Sequence, residues 1–147
     1  MIKTFRGMMS NADIDRIRLG TNNGLTGYRI KKFEALAYYP SGSSPEAILK
    51  LFTVKPPTEP DGTPTGSDTI NFESPTLLAA LFYEGNSNDY YTTQTVTLFD
   101  NMTFNQDIYI TCYSTDNKIN YYIELEQVPL SKDEATVATL KDMRGRE

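Results

Sequence analysis

The residues able to do chemistry are few and scattered. Glu124 and Glu126 stand two apart, a spacing that puts both carboxylates on one face of a strand. A glycosidase needs its two acids across a cleft, supplied by separate elements. A solvated sheet face therefore accounts for this pair better than catalysis does. Cys112 is the single cysteine, so an intramolecular disulfide and a CxxC metal site are both excluded. It falls in phase with Ile108 and Ile110, which predicts a buried structural thiol. The chain has no histidine, which removes the usual general base, the Ser/His/Asp and Cys/His triads and the commonest zinc ligand. Asn86, Asn88 and Asp89 could ligate a cation, as could Asp61 and Asp68. Neither set has the regular spacing of an EF-hand, and ordinary polar loops explain both. The Gly20–Gly24 stretch lacks the spacing and following lysine of a phosphate-binding loop. The expectation is a protein that is not an enzyme, with no cofactor and no metal site.

Charge and aromatic content point instead to contacts. Residues 1–40 carry seven Lys/Arg against three acids, net +4, while the rest carries seven against sixteen, net −9. A basic beginning on an acidic body can dock on an acidic partner, although a solvated surface explains the same asymmetry. Ten tyrosines supply sheet-filling groups and also the residue type favoured at protein–protein hot spots. Tyr38-Tyr39 and Tyr90-Tyr91 could instead stack on sugars. Net charge of −5 argues against nucleic acid, which demands clustered positive charge. No apolar window is long enough to span a membrane, and the N-terminus lacks the apolar core of a secretory signal. The Asn101-Met102-Thr103 sequon is then accidental.

The elements that would position these groups are mostly strands. Lys3–Met9 reads as an edge strand or an arm within residues 1–9. Residues 14–19 alternate with Ile17 and Leu19 inward. Gly27–Tyr39 is a long strand whose apolar phase slips at Lys31-Lys32, which predicts a bulge. Ala47–Val54 is a strand expected to pair with it as a hairpin. Residues 55–68 hold four prolines and two glycines and predict an extended, exposed loop. Ile70 and Phe72 read as a short strand. Leu77–Tyr83 is a continuous apolar run. It reads as a doubly buried strand, although Ser74-Pro75 offers a helix start as an alternative. Thr92–Phe99 alternates with Val96 and Leu98 inward. Residues 105–126 read as strand, polar turn and strand, ended by Pro129. Ser131 and Glu134 form an S-x-x-E capping box that opens a helix over 131–144, with Val137 and Leu140 expected to pack on the sheet. Eight or nine strands and one helix in 147 residues suggest a single all-β domain. The architecture expected is a two-sheet β-sandwich, with a jelly roll among the arrangements allowed and a short C-terminal α-helix.

Four strings, in order, cover 67 of the 147 residues, just under half the chain: TFRGMM (4–9), IDRIRLGTNNGLTGYRIKKF (14–33), TLFDNMTFNQDIYIT (97–111) and INYYIELEQVPLSKDEATVATLKDMR (119–144). They resemble small virion structural proteins, of the capsid decoration or cement kind, encoded by marine tailed phages including cyanophages. No catalytic motif attaches to that group. The resemblance implies a protein made in the host cytoplasm that ends on the capsid surface of the virion. Its partners would be the major capsid protein and copies of itself, a homotrimer being one arrangement. A neck or tail component is the close alternative, and a carbohydrate-binding module at a host-contact site is the alternative of another class. Lys3, Phe5, Arg6, Arg16 and Arg18 are the expected contact residues. Deleting residues 1–9 would then abolish docking and leave the fold intact.

Overall fold

A computed structural model describes residues 1–20, 25–40, 45–86, 91–99, 103–115 and 118–145. The strands are β1 (Ile2–Met9), β2 (Ile14–Ile17), β3 (Thr26–Ala37), β4 (Glu46–Phe52), β5 (Leu77–Asn86), β6 (Tyr91–Leu98), β7 (Ile108–Ser114) and β8 (Ile119–Pro129). The helix α1 (Lys132–Gly145) follows. The strands make two antiparallel sheets, β1-β8-β3 and β2-β7-β4-β5-β6. This is the two-sheet sandwich that the alternation predicts. β1 pairs with β8, β2 with β7 and β4 with β5, so the pairs nest from the chain ends inward. Nested antiparallel pairs are the mark of a long hairpin rolled into a jelly roll. The fourth nested pair, β3 with β6, makes no ladder. β6 stays on β5, and Gln94 reaches from it to accept a hydrogen bond from the Ala35 amide of β3 at 2.9 Å.

The core is the space between the sheets. β8 turns Ile119, Tyr121, Ile123 and Leu125 inward, and β4 and β7 answer with Leu49, Leu51, Ile108, Ile110 and Cys112. Each large aliphatic side chain buried this way contributes about 1.5–3 kcal/mol. The Tyr121 ring fits only because its β1 neighbour is Gly7: a Cβ there would lie 2.6 Å from the phenol oxygen. The expected bulge is present, since the β3–β8 register shifts between Ile30 and Lys32. The apolar run at 77–83 is a strand, with Leu81 and Tyr83 fully buried.

Three expectations are corrected, and a fourth, Val96, holds in direction but not in burial. β3 and β4 do not pair: β3 lies on β8 in one sheet, and β4 lies between β5 and β7 in the other. Alternation reports a buried face and is blind to which sheet a strand joins. Ile70 and Phe72 form no strand; they are exposed, and backbone bonds nearby are local turns such as Thr69 to Gly66 and Ser74 to Asn71. Val96 points inward but remains 37% exposed, because five strands face only three and β6 overhangs. Val137 and Leu140 are exposed, and the helix instead packs through Ala135 and Ala138. At 3.6 residues per turn, Val137 sits about 200° round the helix from Ala135. Asn105 fixes that choice by donating to the Ala135 carbonyl and to Thr139 Oγ1. The capping box itself is present, with the Glu134 amide and carboxylate both bonded to the Ser131 hydroxyl.

The proline-rich segment is tied to the sheet. Most of 55–68 is exposed, yet Pro56, Pro64 and Ser67 are buried, and Thr58 bridges Pro64. The tie is Lys50, an outward-facing residue of β4 that is almost fully buried. Its ammonium donates to the Gly66 carbonyl at 2.5 Å and to the Thr69 carbonyl at 2.6 Å. Gly66 has φ +67, a left-handed conformation that glycine adopts without strain. Lys50 stands in one cross-strand row with Ala80 and Thr111, both buried, so this part of the outer face is sealed. Burial pushes the Lys50 pKa below its usual value. The unfolded chain therefore binds more protons between the lowered value and 10.5, and this group's contribution to stability rises with pH across that window. Lys50→Met keeps the stem, removes the ammonium from the Thr69 carbonyl, and leaves the Gly66 carbonyl only the amide and hydroxyl of Thr69. We expect a loss of about 1–3 kcal/mol in chemical denaturation and faster proteolytic cleavage within 55–68. Unchanged stability and cleavage would contradict the tie.

Candidate functional site

The outer face of β1-β8-β3 is the open counterpart of that sealed surface. Pairing register sets its residues in four rows: Ile2–Glu126–Arg29, Thr4–Glu124–Lys32, Arg6–Tyr122–Glu34 and Met8–Asn120–Leu36. The first two rows are ionic. Glu126 takes ion pairs from Arg29 at 3.3 Å and Lys31 at 3.2 Å, and Lys32 pairs with Glu34 at 3.1 Å. The bulge is what delivers both Lys31 and Lys32 to this network. Tyr122 donates its hydroxyl to Glu124 at 2.8 Å, which raises the Tyr122 pKa. The hydrogen bond from Lys31, followed by the charges of Lys31 and Arg29, lowers that of Glu126. The third row adds Arg6 and Tyr122 beside Glu34, and the last row is uncharged. Arg6, Tyr122 and Glu34 adjoin Met8 and Leu36, which are 42% and 52% exposed. Together with Asn120 they line an open groove of about 530 Å³.

The five expected contact residues do not form one patch. Lys3 and Phe5 point to the inner side of β1. Phe5 packs on the core, and the Lys3 ammonium sits 5.7 Å over the Tyr28 ring, 3.4 Å from its hydroxyl. Arg6 is exposed on the groove. Arg16 lies on the outer face of the other sheet, paired with Asp107 at 2.6 Å, and Arg18 is exposed beyond the end of β2. β1 is paired along its whole length with β8, so deleting residues 1–9 would remove a strand and expose Tyr121 and Ile123. Point substitutions are the sound test. What the sequence reading missed is the grouping of Met8, Leu36 and Tyr122 around Arg6. Their outward phase was legible; that β1 and β3 flank β8 was not.

Glu124 and Glu126 face outward as expected, each engaged by a neighbour as described. Cys112 is fully buried, and burial pushes its thiol up to about 12, so it is no nucleophile. Asp61 accepts from the amide and hydroxyl of Thr63, a local turn. Among the described residues no group of three or more His, Cys, Asp or Glu is placed to hold a metal ion. The side chains of Asn86 and Tyr91, together with Asn88, Asp89, Tyr90 and the Asn101-Met102 part of the sequon, lie outside the described residues. Tyr38 and Tyr39 are both exposed. No described helix is long and apolar enough to cross a membrane. In comparisons with known proteins, no family model matches the chain, and no curated protein matches it.

The ionic rows yield a pH prediction. A carboxyl whose folded pKa is depressed contributes stability present above its unfolded value, near 4.5, and lost as pH falls through the folded value. Lys31→Ala should move the Glu126 titration, followed by side-chain carboxyl NMR, upward toward 4.5. An unmoved titration would contradict the pairing.

Proposed function

We propose that this chain is a phage virion structural protein that binds the outside of the head as a capsid decoration, or cement, protein. The observation that carries the reading is the row of exposed Arg6 and half-buried Tyr122 beside exposed Met8 and Leu36, set on a three-stranded sheet. Tyr, Arg and Met are enriched in protein interfaces, and a few such residues carry most of the binding energy. The four strings that resemble marine phage virion proteins supply the identity of the partner, the major capsid protein. In this reading Tyr122 and Leu36 are desolvated on the shell, Arg6 meets an acidic or carbonyl group of the capsid, and the ionic rows set orientation at the rim. A strand platform costs little ordering entropy on binding, which suits a protein that must add without deforming the shell.

A neck or tail address uses the same face on a different partner. A carbohydrate-binding module is the second reading, and the adjacent exposed Tyr38 and Tyr39 favour it. That module would bind glycans as an isolated protein, and Tyr38→Ala with Tyr39→Ala would abolish the binding.

The test is co-sedimentation of purified protein with capsids that lack it. The expected result is saturable, stoichiometric binding that Arg6→Glu or Tyr122→Ala weakens by about 30-fold or more, the scale of a hot-spot loss of about 2 kcal/mol. Arg16→Ala, on the far sheet, should leave it unchanged. Absence of the protein from particles, or binding indifferent to Arg6 and Tyr122, would overturn the assignment.

A further inference from the structure

The two sheets present four edges, and three of them are guarded. β1 carries Lys3 and Arg6 along its length. β2 is only four residues long and holds Asp15 and Arg16. β3 is bulged at Lys31, bears four charged side chains between Arg29 and Glu34, and has its Ala35 amide already capped by Gln94. Short strands, charges, bulges and covered amides are the usual defences against strand-to-strand association. Among the described residues the edge of β6 has none of them. Tyr91–Leu98, YTTQTVTL, runs eight residues with no charge, no proline, no glycine and an unbroken register on β5. Thr92 through Val96 are all exposed. Gln94 rises from the inner face of β6 to the edge of β3, which places β6 under that edge with its own outer edge facing solvent.

We propose that β6 is a self-association edge, where two copies of this chain pair antiparallel about a two-fold axis and join their five-stranded sheets into one. A second copy fits better than an unrelated strand because the strand is self-complementary. In a register centred on Thr95, outward Thr93 faces Thr97, and inward Gln94 faces Val96. Threonine pairs and β-branched contacts of this kind stabilise antiparallel ladders. The inner-face Val96, left uncovered by the three-stranded sheet, is buried by the arriving copy. A chain of net charge −5 repels its own copies, so a neutral edge matters most for a self-partner. Glu84, the charged residue paired with Thr93 inside the sheet, would stand three strand spacings from its two-fold mate, roughly 14 Å across the sheet before any offset along it. That exceeds a Debye length of about 8 Å at physiological salt. The inference is independent of the capsid reading, since it concerns the isolated protein.

Sedimentation equilibrium on the purified chain should give twice the 16.6 kDa chain mass. Thr95→Lys, which sets two like charges on the axis at an exposed site, should return the mass to one chain while circular dichroism shows the same fold and the unfolding midpoint loses its dependence on protein concentration. Thr95→Cys should cross-link into a covalent dimer on mild oxidation, because central antiparallel pairs lie within disulfide range and the buried Cys112 does not compete. Thr4→Cys, on the outer face of β1, should not. A monomer at every accessible concentration, a dimer indifferent to Thr95→Lys, or equal cross-linking at Thr4 would each overturn the proposal.

Discussion

Everything in this fold depends on how β8 is covered. It is the central strand of the smaller sheet, and its inward row, Ile119, Tyr121, Ile123 and Leu125, fills the space above β4 and β7. That row can be buried only if β1 and β3 flank it and five strands lie beneath. Two consequences follow from geometry alone. The larger sheet is wider than its cover, so β6 overhangs with Val96 half-covered and must borrow Gln94 to reach β3. Gly7 must stay small so that the Tyr121 ring can lie across β1.

The two outer faces then diverge. On the five-stranded sheet the chain spends the 53–76 connection as a cover and fastens it with one buried ammonium, that of Lys50, on two carbonyls. Charge-assisted bonds of this kind hold more firmly than neutral ones, and the burial they require lowers the Lys50 pKa. On the three-stranded sheet no described segment plays that part. Its surface is organised by cross-strand ion pairs at one end and by Arg6, Tyr122, Met8 and Leu36 at the other. The proposed function rests on that asymmetry: part of one face is closed by the chain itself, and the other is the face proposed to meet a partner.

Much of the fold was legible in the sequence because burial imposes period two. Ile17 and Leu19 inward, the bulge at Lys31, the buried strand at 77–83, the Cys112 thiol and the Ser131–Glu134 cap were all readable from local pattern. What failed was information that is not local. The β3–β4 connection crosses between sheets, and nothing in either strand says so. Val137 and Leu140 looked like a packing face because they are apolar, whereas Asn105, some thirty residues earlier, selects Ala135 and Ala138 instead. The candidate site was half legible for the same reason. Arg6 could be singled out by its charge, but Lys3 and Phe5 share its strand and point the other way. Its true neighbours, Tyr122 and Leu36, come from strands more than a hundred and about thirty residues away.

Residue-resolved amide hydrogen exchange on the free protein tests this asymmetry most directly. Amides of the clamped connection, Thr65, Ser67 and Thr69, should exchange far more slowly than an unstructured chain, since each bonds a backbone carbonyl beneath the Lys50 tie. The Ala35 amide should be protected although it lies on an edge strand. Exchange of 65–69 at the rate of an unstructured chain would mean that the five-stranded face is open too. The distinction between a closed and an available face would then fall.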